Sequence, residues 1–237
     1  YRVTNGEFIE FEPCEKADPY ILRVFLMCSC LGFIMIQRDI IAIHGGTIVV
    51  DNKAIILTGD RGAGKSTLTT ALRLKGYQFI SDDVAALEMK NNIPMVKHGF
   101  PYQKLCSLAM DKLEYDKEKY FSFMSDTEIK YLVDAHDDFI YEDTRLFALC
   151  ELSVSDTDQV QIEEIKGSEK LNKLITNRYR AEFVQAMGGI SPIAFKTLLQ
   201  IAKSIKFYKI IRPEGQFTVD KQIELLEEKI KTLQSIN

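Results

Sequence analysis

The sequence predicts an α/β fold, a β-sheet flanked by helices, on three observations. Two β-branched runs, "GTIVV" (46–50) and "KAIILTG" (53–59), are separated by a turn at Asp51 and Asn52, the pattern of a hairpin. The second run leads into the glycine-rich "GDRGAGKS", Gly59 to Ser66, after which a helical pattern with Leu68, Leu72 and Leu74 runs from Gly64 to about Lys75 and stops at Gly76. "YQFISDD" then reads as a further strand ending in two carboxylates, which completes a β-α-β unit.

The remaining elements are read in chain order. "TNGE" and "EFIEF" in residues 1–20 suggest a small hairpin or edge strands. An apolar helix is expected over 21–37, with its most apolar part, "VFLMCSCLGFIMI" (24–36), buried in the core. Thirteen helical residues reach only about 20 Å, short of the roughly 30 Å hydrocarbon core of a membrane. The acidic segment before this run does not resemble a secretory signal, and the chain opens at Tyr1, which leaves room for residues ahead of it.

Beyond Leu87, "EMKNNIPMVKHGFPY" suggests short strands around a turn at Asn91 and Asn92, and Lys104 to Tyr131 reads as charged and mostly helical. "RLFALCELSV" reads as a buried strand, with "QVQIEEI" alternating after it. "SEKLNKLITNRYRAEF" and "SPIAFKTLLQIAKSI" follow as amphipathic helices, the second capped by Ser191 with Pro192 at its first position. "KFYKIIRP" is expected as a last strand, and a C-terminal helix places Ile223, Leu226, Ile230 and Leu233 on one stripe that docks on the domain. With no internal repeat and no low-complexity linker, residues 1–237 are expected as one domain. Its parts are N-terminal strands and an apolar helix (1–40), a nucleotide-binding core (41–90), and a substrate-side segment with C-terminal helices (91–237).

Composition bounds the function. The 237 residues include 46% apolar side chains, enough for a sizeable core, and 30 basic against 34 acidic residues give a net charge of −4. Such a balance supplies no global field for nucleic acid or an anionic membrane, so neither is expected as a partner. Five scattered cysteines, Cys14, Cys28, Cys30, Cys106 and Cys150, match no zinc or redox spacing and point to reduced thiols in a cytoplasmic protein.

The segment Gly59 to Ser66 matches the phosphate-binding pattern G-x-x-x-x-G-K-[ST] in full. In this pattern the backbone amides of Gly59, Asp60, Arg61, Gly62, Ala63 and Gly64 curl around a phosphate chain, and the helix entered through Thr67 adds its positive end. Lys65 brings a full charge to the outer phosphates and Ser66 offers a hydroxyl to Mg²⁺. Asp82 and Asp83 close the next strand, Asp83 lying 17 residues past Ser66, so a single helix returns two carboxylates beside the phosphates. One can support the magnesium shell while the other takes a proton from an attacking hydroxyl, as phosphoryl transfer to an alcohol requires. His44, 15 residues before Gly59, stands next to the hairpin strand that starts at Gly45, and strand pairing places it near the loop's end of the sheet.

"IHGG", "GDRGAGKS" and "ISDD", in this order and at these separations, resemble the kinase domain of HPr kinase/phosphorylase, whose P-loop fold is shared with phosphoenolpyruvate carboxykinases. The stretch from Cys30 to Leu105 looks most like stand-alone HPr-kinase-like proteins of peptide biosynthesis clusters, including those that tailor lasso peptide precursors on a C-terminal serine. The resemblance implies a mixed β-sheet with flanking helices, ATP bound on Gly59 to Thr67, Mg²⁺ held by Ser66 and an aspartate, and a catalytic group of His44, Lys65, Asp82 and Asp83. Spacing alone does not divide base and metal roles between the aspartates; strand alternation favours Asp82 as the base, which leaves Asp83 to the metal.

The glycine-arginine-rich segment of HPr kinases, with its further magnesium-binding glutamate, has no match here, nor does their N-terminal domain. That argues against HPr as substrate and against the reverse, phosphorolytic reaction. Arg145, Arg178 and Arg180 are the candidates for neutralising transition-state charge. The expected function is a Mg²⁺-dependent serine kinase acting on a peptide or small protein, with a homo-oligomer left open by the habit of HPr kinases. The alternatives are a nucleotide-binding regulatory or assembly module and a small-molecule alcohol kinase.

Overall fold

The protein, described here from a computed structural model covering residues 1–125 and 128–234, is built on a mixed eight-stranded sheet. Its axis is β3 (Ile41–Val50), ten residues long, joined to β4 (Lys53–Gly59) by the expected hairpin. Asp51 and Asn52 take φ of 49° and 59°, the left-handed pair of a type I′ turn, which matches the twist of the two strands. β4 then pairs in parallel with β11 (Thr144–Ser155), which pairs in parallel with β13 (Lys206–Pro213), and β12 (Gln161–Glu164) closes that edge antiparallel.

The other edge of β3 carries β5 (Gln78–Ser81) and β6 (Val84–Lys90) end to end, both antiparallel to it. A second left-handed turn at Asn91 and Asn92 leads into β7 (Ile93–Val96), which also pairs with the first residues of β11. Strands β11, β4, β3, β6 and β7 therefore form a closed circuit.

Helices cover both faces, which is why β4 reads as an unbroken apolar run. Ile55 and Leu57 meet Leu68 and Leu72 of α3 (Lys65–Leu74) and Ile223, Leu226 and Ile230 of α8 (Val219–Gln234). Ala54 and Ile56 point the other way, into the cluster with Leu174 of α5 (Gly167–Thr176) and Leu198 and Ile201 of α7 (Pro192–Ser204). The N-cap of α7 forms as expected, Ser191 Oγ accepting from the Ala194 amide at 3.0 Å. Burial of Ile223, Leu226 and Ile230 bears out the docked C-terminal stripe, whose fourth member, Leu233, has a side chain outside the described residues.

Four expectations are corrected. The apolar segment 24–36 is not a buried core helix: α1 (Pro19–Val24), a π-helical turn (Phe25–Cys30) and α2 (Leu31–Gln37) lie at the surface with Phe25 and Met27 exposed. The widened π turn, a form that occurs often at functional sites, breaks the facial alignment that a straight helix would have kept. Lys104 to Tyr131 is mostly sheet: β8 (Tyr102–Cys106), the short α4 (Ser107–Lys112), β9 (Phe121–Ser125) and β10 (Glu128–Asp134), in the order β8-β10-β9. Charge density masked the alternation of Phe121 with Phe123 and of Ile129 with Tyr131, and cross-strand pairing, which no local pattern shows, decides the outcome.

The helix read from "SEKLNKLITNRYRAEF" stops at Thr176, because Asn177 turns its side chain onto other elements and Arg180 adopts φ 58° before the four-residue α6 (Ala181–Val184). Finally, His44 lies inside β3 rather than before it. At the N-terminus β1 (Arg2–Thr4) and β2 (Phe8–Glu10) form the expected hairpin.

Candidate active site

The site gathers where β4 ends. Gly59 takes φ 133° and passes so close to β11 that a Cβ would lie 2.2 Å from the Leu152 carbonyl oxygen, so a side chain is excluded on both counts. Helix α3 starts on Gly64 with no side-chain cap, leaving its first amides without an intrahelical partner. The Lys65 ammonium folds back on the loop, donating to the carbonyls of Gly59 (2.8 Å) and Asp60 (3.1 Å). Burial pushes its pKa down, while Asp83 and Asp60 oppose that shift.

Asp82 and Asp83 fill the gap between β5 and β6, directly opposite Gly45 and Gly46 of β3. The Asp83 carbonyl accepts from the Gly45 amide at 3.0 Å. A Cβ on Gly46 would stand 2.5 Å from Thr69 Oγ1 of α3 and 3.2 Å from the Asp82 carbonyl. Gly46 thus lets helix α3 and the aspartate bend both close on β3, while a Cβ on Gly45 would run into the Leu57 carbonyl of β4.

Lys104 completes the group. On β8, Gln103 is fully buried and its Oε1 accepts from Thr70 and Arg73 of α3, each at 2.9 Å. The next side chain along a strand faces the other way. Lys104 therefore reaches the aspartates: its amide donates to Asp82 Oδ2 at 2.9 Å, and its ammonium is ion-paired with Asp83 Oδ2. Burial alone would depress the ammonium's pKa, but Asp83 and Asp82 hold it above its ordinary value.

The two carboxyl groups are thereby driven apart. Loss of solvent, with the neighbouring Asp83 charge adding to it, pushes Asp82 up to about 7, and its Oδ1 is buried without a hydrogen-bond partner among the described residues. Asp83 is penalised by burial too, yet the Lys104 ammonium, helped by His44 and Lys130, holds it below the ordinary carboxylate range.

His44 occupies the expected place, and its pKa is lowered first by burial and then by Lys65, which favours the neutral imidazole. Its ring stacks on Tyr179 with centroids 5.8 Å apart. The loop after α5 fixes this arrangement: the His44 amide donates to the Asn177 carbonyl at 2.9 Å, and Thr58 Oγ1 lies 2.7 Å from the His44 carbonyl and 2.9 Å from Asn177 Oδ1. Asn177 Nδ2 in turn donates to Glu151 Oε1 of β11 at 2.9 Å.

Of the three arginines singled out in the sequence, Arg145 is the second residue of β11, at the far end of the sheet, and Arg178 donates to the Ile175 carbonyl. Arg180 lies near His44, stacked on Tyr179 and bonded to Ser29 Oγ of the π turn at 2.8 Å. Sequence reasoning missed Lys104, Asn177 and Arg212. The last, on β13, clamps the phosphate loop by donating to the carbonyls of Ala63 and Gly62, both at 3.0 Å. Only the ends of "GFPYQKL" and "FYKIIRP" hinted at Lys104 and Arg212.

No known family profile matches the chain, and no curated protein is similar to it. Among solved structures it is similar to the HPr(Ser) kinase/phosphatase from Coxiella burnetii, at 16% identity and a TM-score of 0.40, over 82% of this chain and 98% of that one. A likeness that faint carries nothing about chemistry, which rests on the residues above.

Proposed function

We propose that the protein is a Mg²⁺-dependent serine kinase that moves the γ-phosphoryl group of ATP to a serine hydroxyl of a peptide or small protein, a lasso-type precursor with a C-terminal serine being the expected acceptor. The observation that carries this reading is the different settings of Asp82 and Asp83: adjacent carboxyls beside a glycine-rich loop, one pushed up by burial with an oxygen left without a hydrogen-bond partner among the described residues, the other ion-paired with Lys104 and held low. A general base works best with a pKa near the operating pH, and a metal support must stay charged.

In this reading the amides of Gly59 to Ser66 and the start of α3 bind the phosphate chain, and Lys65 leaves the Gly59 and Asp60 carbonyls for the outer phosphates. Asp82 accepts the proton of the serine hydroxyl as its oxygen bonds to the γ-phosphorus, the bond to the bridging oxygen breaks, and ADP departs with those electrons. Neutral His44, pinned by Asn177 and Tyr179, lines the acceptor side and hydrogen-bonds the incoming hydroxyl. The donor set fits Mg²⁺: Ser66 Oγ and the ionised Asp83 would hold it, where it neutralises charge on the β- and γ-phosphates.

The test is incubation with Mg-ATP and serine-bearing peptides, with and without a C-terminal serine, followed by mass spectrometry of the peptides. Gain of one phosphoryl group on serine supports the reading. ATP binding with no transfer to any peptide, or transfer only to small alcohols, overturns it.

A further inference from the structure

At the end of the sheet away from the phosphate loop, a cavity of about 440 Å³ opens among the starts of β11, α5 and β13. Its charged lining is one-sided: Arg145, Lys166, Lys170, Lys203 and Lys206 against the single carboxylate of Glu164. Glu164 is already shared by Lys166 at 3.1 Å and Lys206 at 3.2 Å. Lys170 finds only the Ile205 carbonyl, and neither Arg145 nor Lys203 has a carboxylate partner among the described residues. Like charges held together around one concavity, in a chain whose net charge is −4, repel one another, and the Glu164 pairs together with solvent at the exposed Arg145, Lys166 and Lys203 offset only part of that cost.

Helix α5 adds to this field, since it begins at Gly167 on the cavity wall with no side-chain cap. Burial, with Lys206 beside it, also lowers the Lys170 pKa, so an arriving anion would stabilise its ammonium. The cavity is separate from the phosphate loop: Leu146 of β11 lines it and Leu152 abuts Gly59, and the six-residue rise from one to the other spans about 20 Å.

We propose that this cavity is a second anion site, which takes a small molecule bearing more than one phosphate group. Lysine ammoniums act as point charges suited to phosphate oxygens, and a volume within the usual range for small-ligand pockets favours a metabolite-sized occupant over a polymer.

The probe is pyrophosphate, titrated calorimetrically into the full chain and into the double variant Lys170→Gln/Lys203→Gln, with ADP binding as the check that the fold and the phosphate loop survive. The site predicts that the double variant loses one pyrophosphate equivalent, or binds it at least tenfold more weakly, while ADP affinity is unchanged. Lys203→Glu, at an exposed position, should give the same loss alone. Equal stoichiometry and affinity in parent and variants overturn the proposal. Citrate, a polycarboxylate, should bind this site more weakly than pyrophosphate; equal or tighter citrate binding overturns the assignment to phosphates.

Discussion

Lys104 holds Asp83 through its ammonium and Asp82 through its main-chain amide, so one residue touches both carboxyls: its cation keeps Asp83 low, while burial and the Asp83 charge push Asp82 up against it. Replacing it by Met leaves the amide bond and removes the cation. Asp83 should then titrate higher, and peptide phosphorylation should fall at least tenfold. The stability loss should stay near 1 kcal/mol because solvent reaches about a third of the pair and screens it. Denaturant unfolding and initial rates measured together check both parts.

Asp82 as the base should make the proposed activity pH-dependent. With its carboxyl near 7 in the free protein, kcat/KM for the peptide should fall as pH drops below that value, and Asp82→Asn should lose two or more orders of magnitude together with this acid limb. Stability follows the opposite course. A carboxyl raised from 3.8 to about 7 binds more protons folded than unfolded, so its stabilising contribution is complete below about pH 4 and is lost as pH rises through about 7. The gap in unfolding free energy between Asp82→Asn and the parent should therefore widen in the variant's favour across that window.

Gly46→Ala tests the close approach of α3 to the aspartate bend. The new methyl meets Thr69 Oγ1, which should cost roughly 1–3 kcal/mol and displace Asp82, lowering the phosphorylation rate. Adding Thr69→Ala makes room and should restore part of both; no restoration would place the damage elsewhere.

Asn177→Ala removes the side chain that ties Thr58 of β4 to Glu151 of β11. Unpaired polar groups left in a half-buried setting should cost about 1–3 kcal/mol, and the freed His44 strand should lower kcat more than it raises the ATP KM. Arg212→Met should do the reverse, raising the ATP KM through a looser loop with kcat little changed, because its guanidinium donates to the loop carbonyls of Gly62 and Ala63 and to the Pro213 carbonyl of its own strand. Steady-state kinetics in both substrates distinguish the two variants.

These residues also mark how far the sequence could be read. The β3–β4 hairpin, the phosphate loop and α3 were legible because their signals are local: the Asp51-Asn52 turn, three glycines, and Leu68 and Leu72 one turn apart. His44 was placed correctly at the loop's end of the sheet because hairpin register follows from its turn, even though its strand begins earlier than expected. Lys104 was invisible because its aim is set by Gln103 against α3, a contact between residues 30 and 33 positions apart. Arg212 meets the loop from 149 and 150 positions away, a relation fixed by the parallel neighbours β4, β11 and β13. The π turn at Phe25–Cys30 has no period of its own, so its apolar residues imitated a core helix.

The most direct measurement compares ATP binding with serine phosphorylation in the parent, Asp82→Asn and Asp83→Asn. If a base and a charged support stand beside an intact phosphate cradle, the parent forms phosphoserine, and Asp82→Asn binds ATP with affinity within a few-fold of the parent yet forms none. Asp83→Asn should lose transfer together with its dependence on Mg²⁺ concentration. Phosphoserine formation at the parent's rate in Asp82→Asn, with ATP binding intact, would contradict the account.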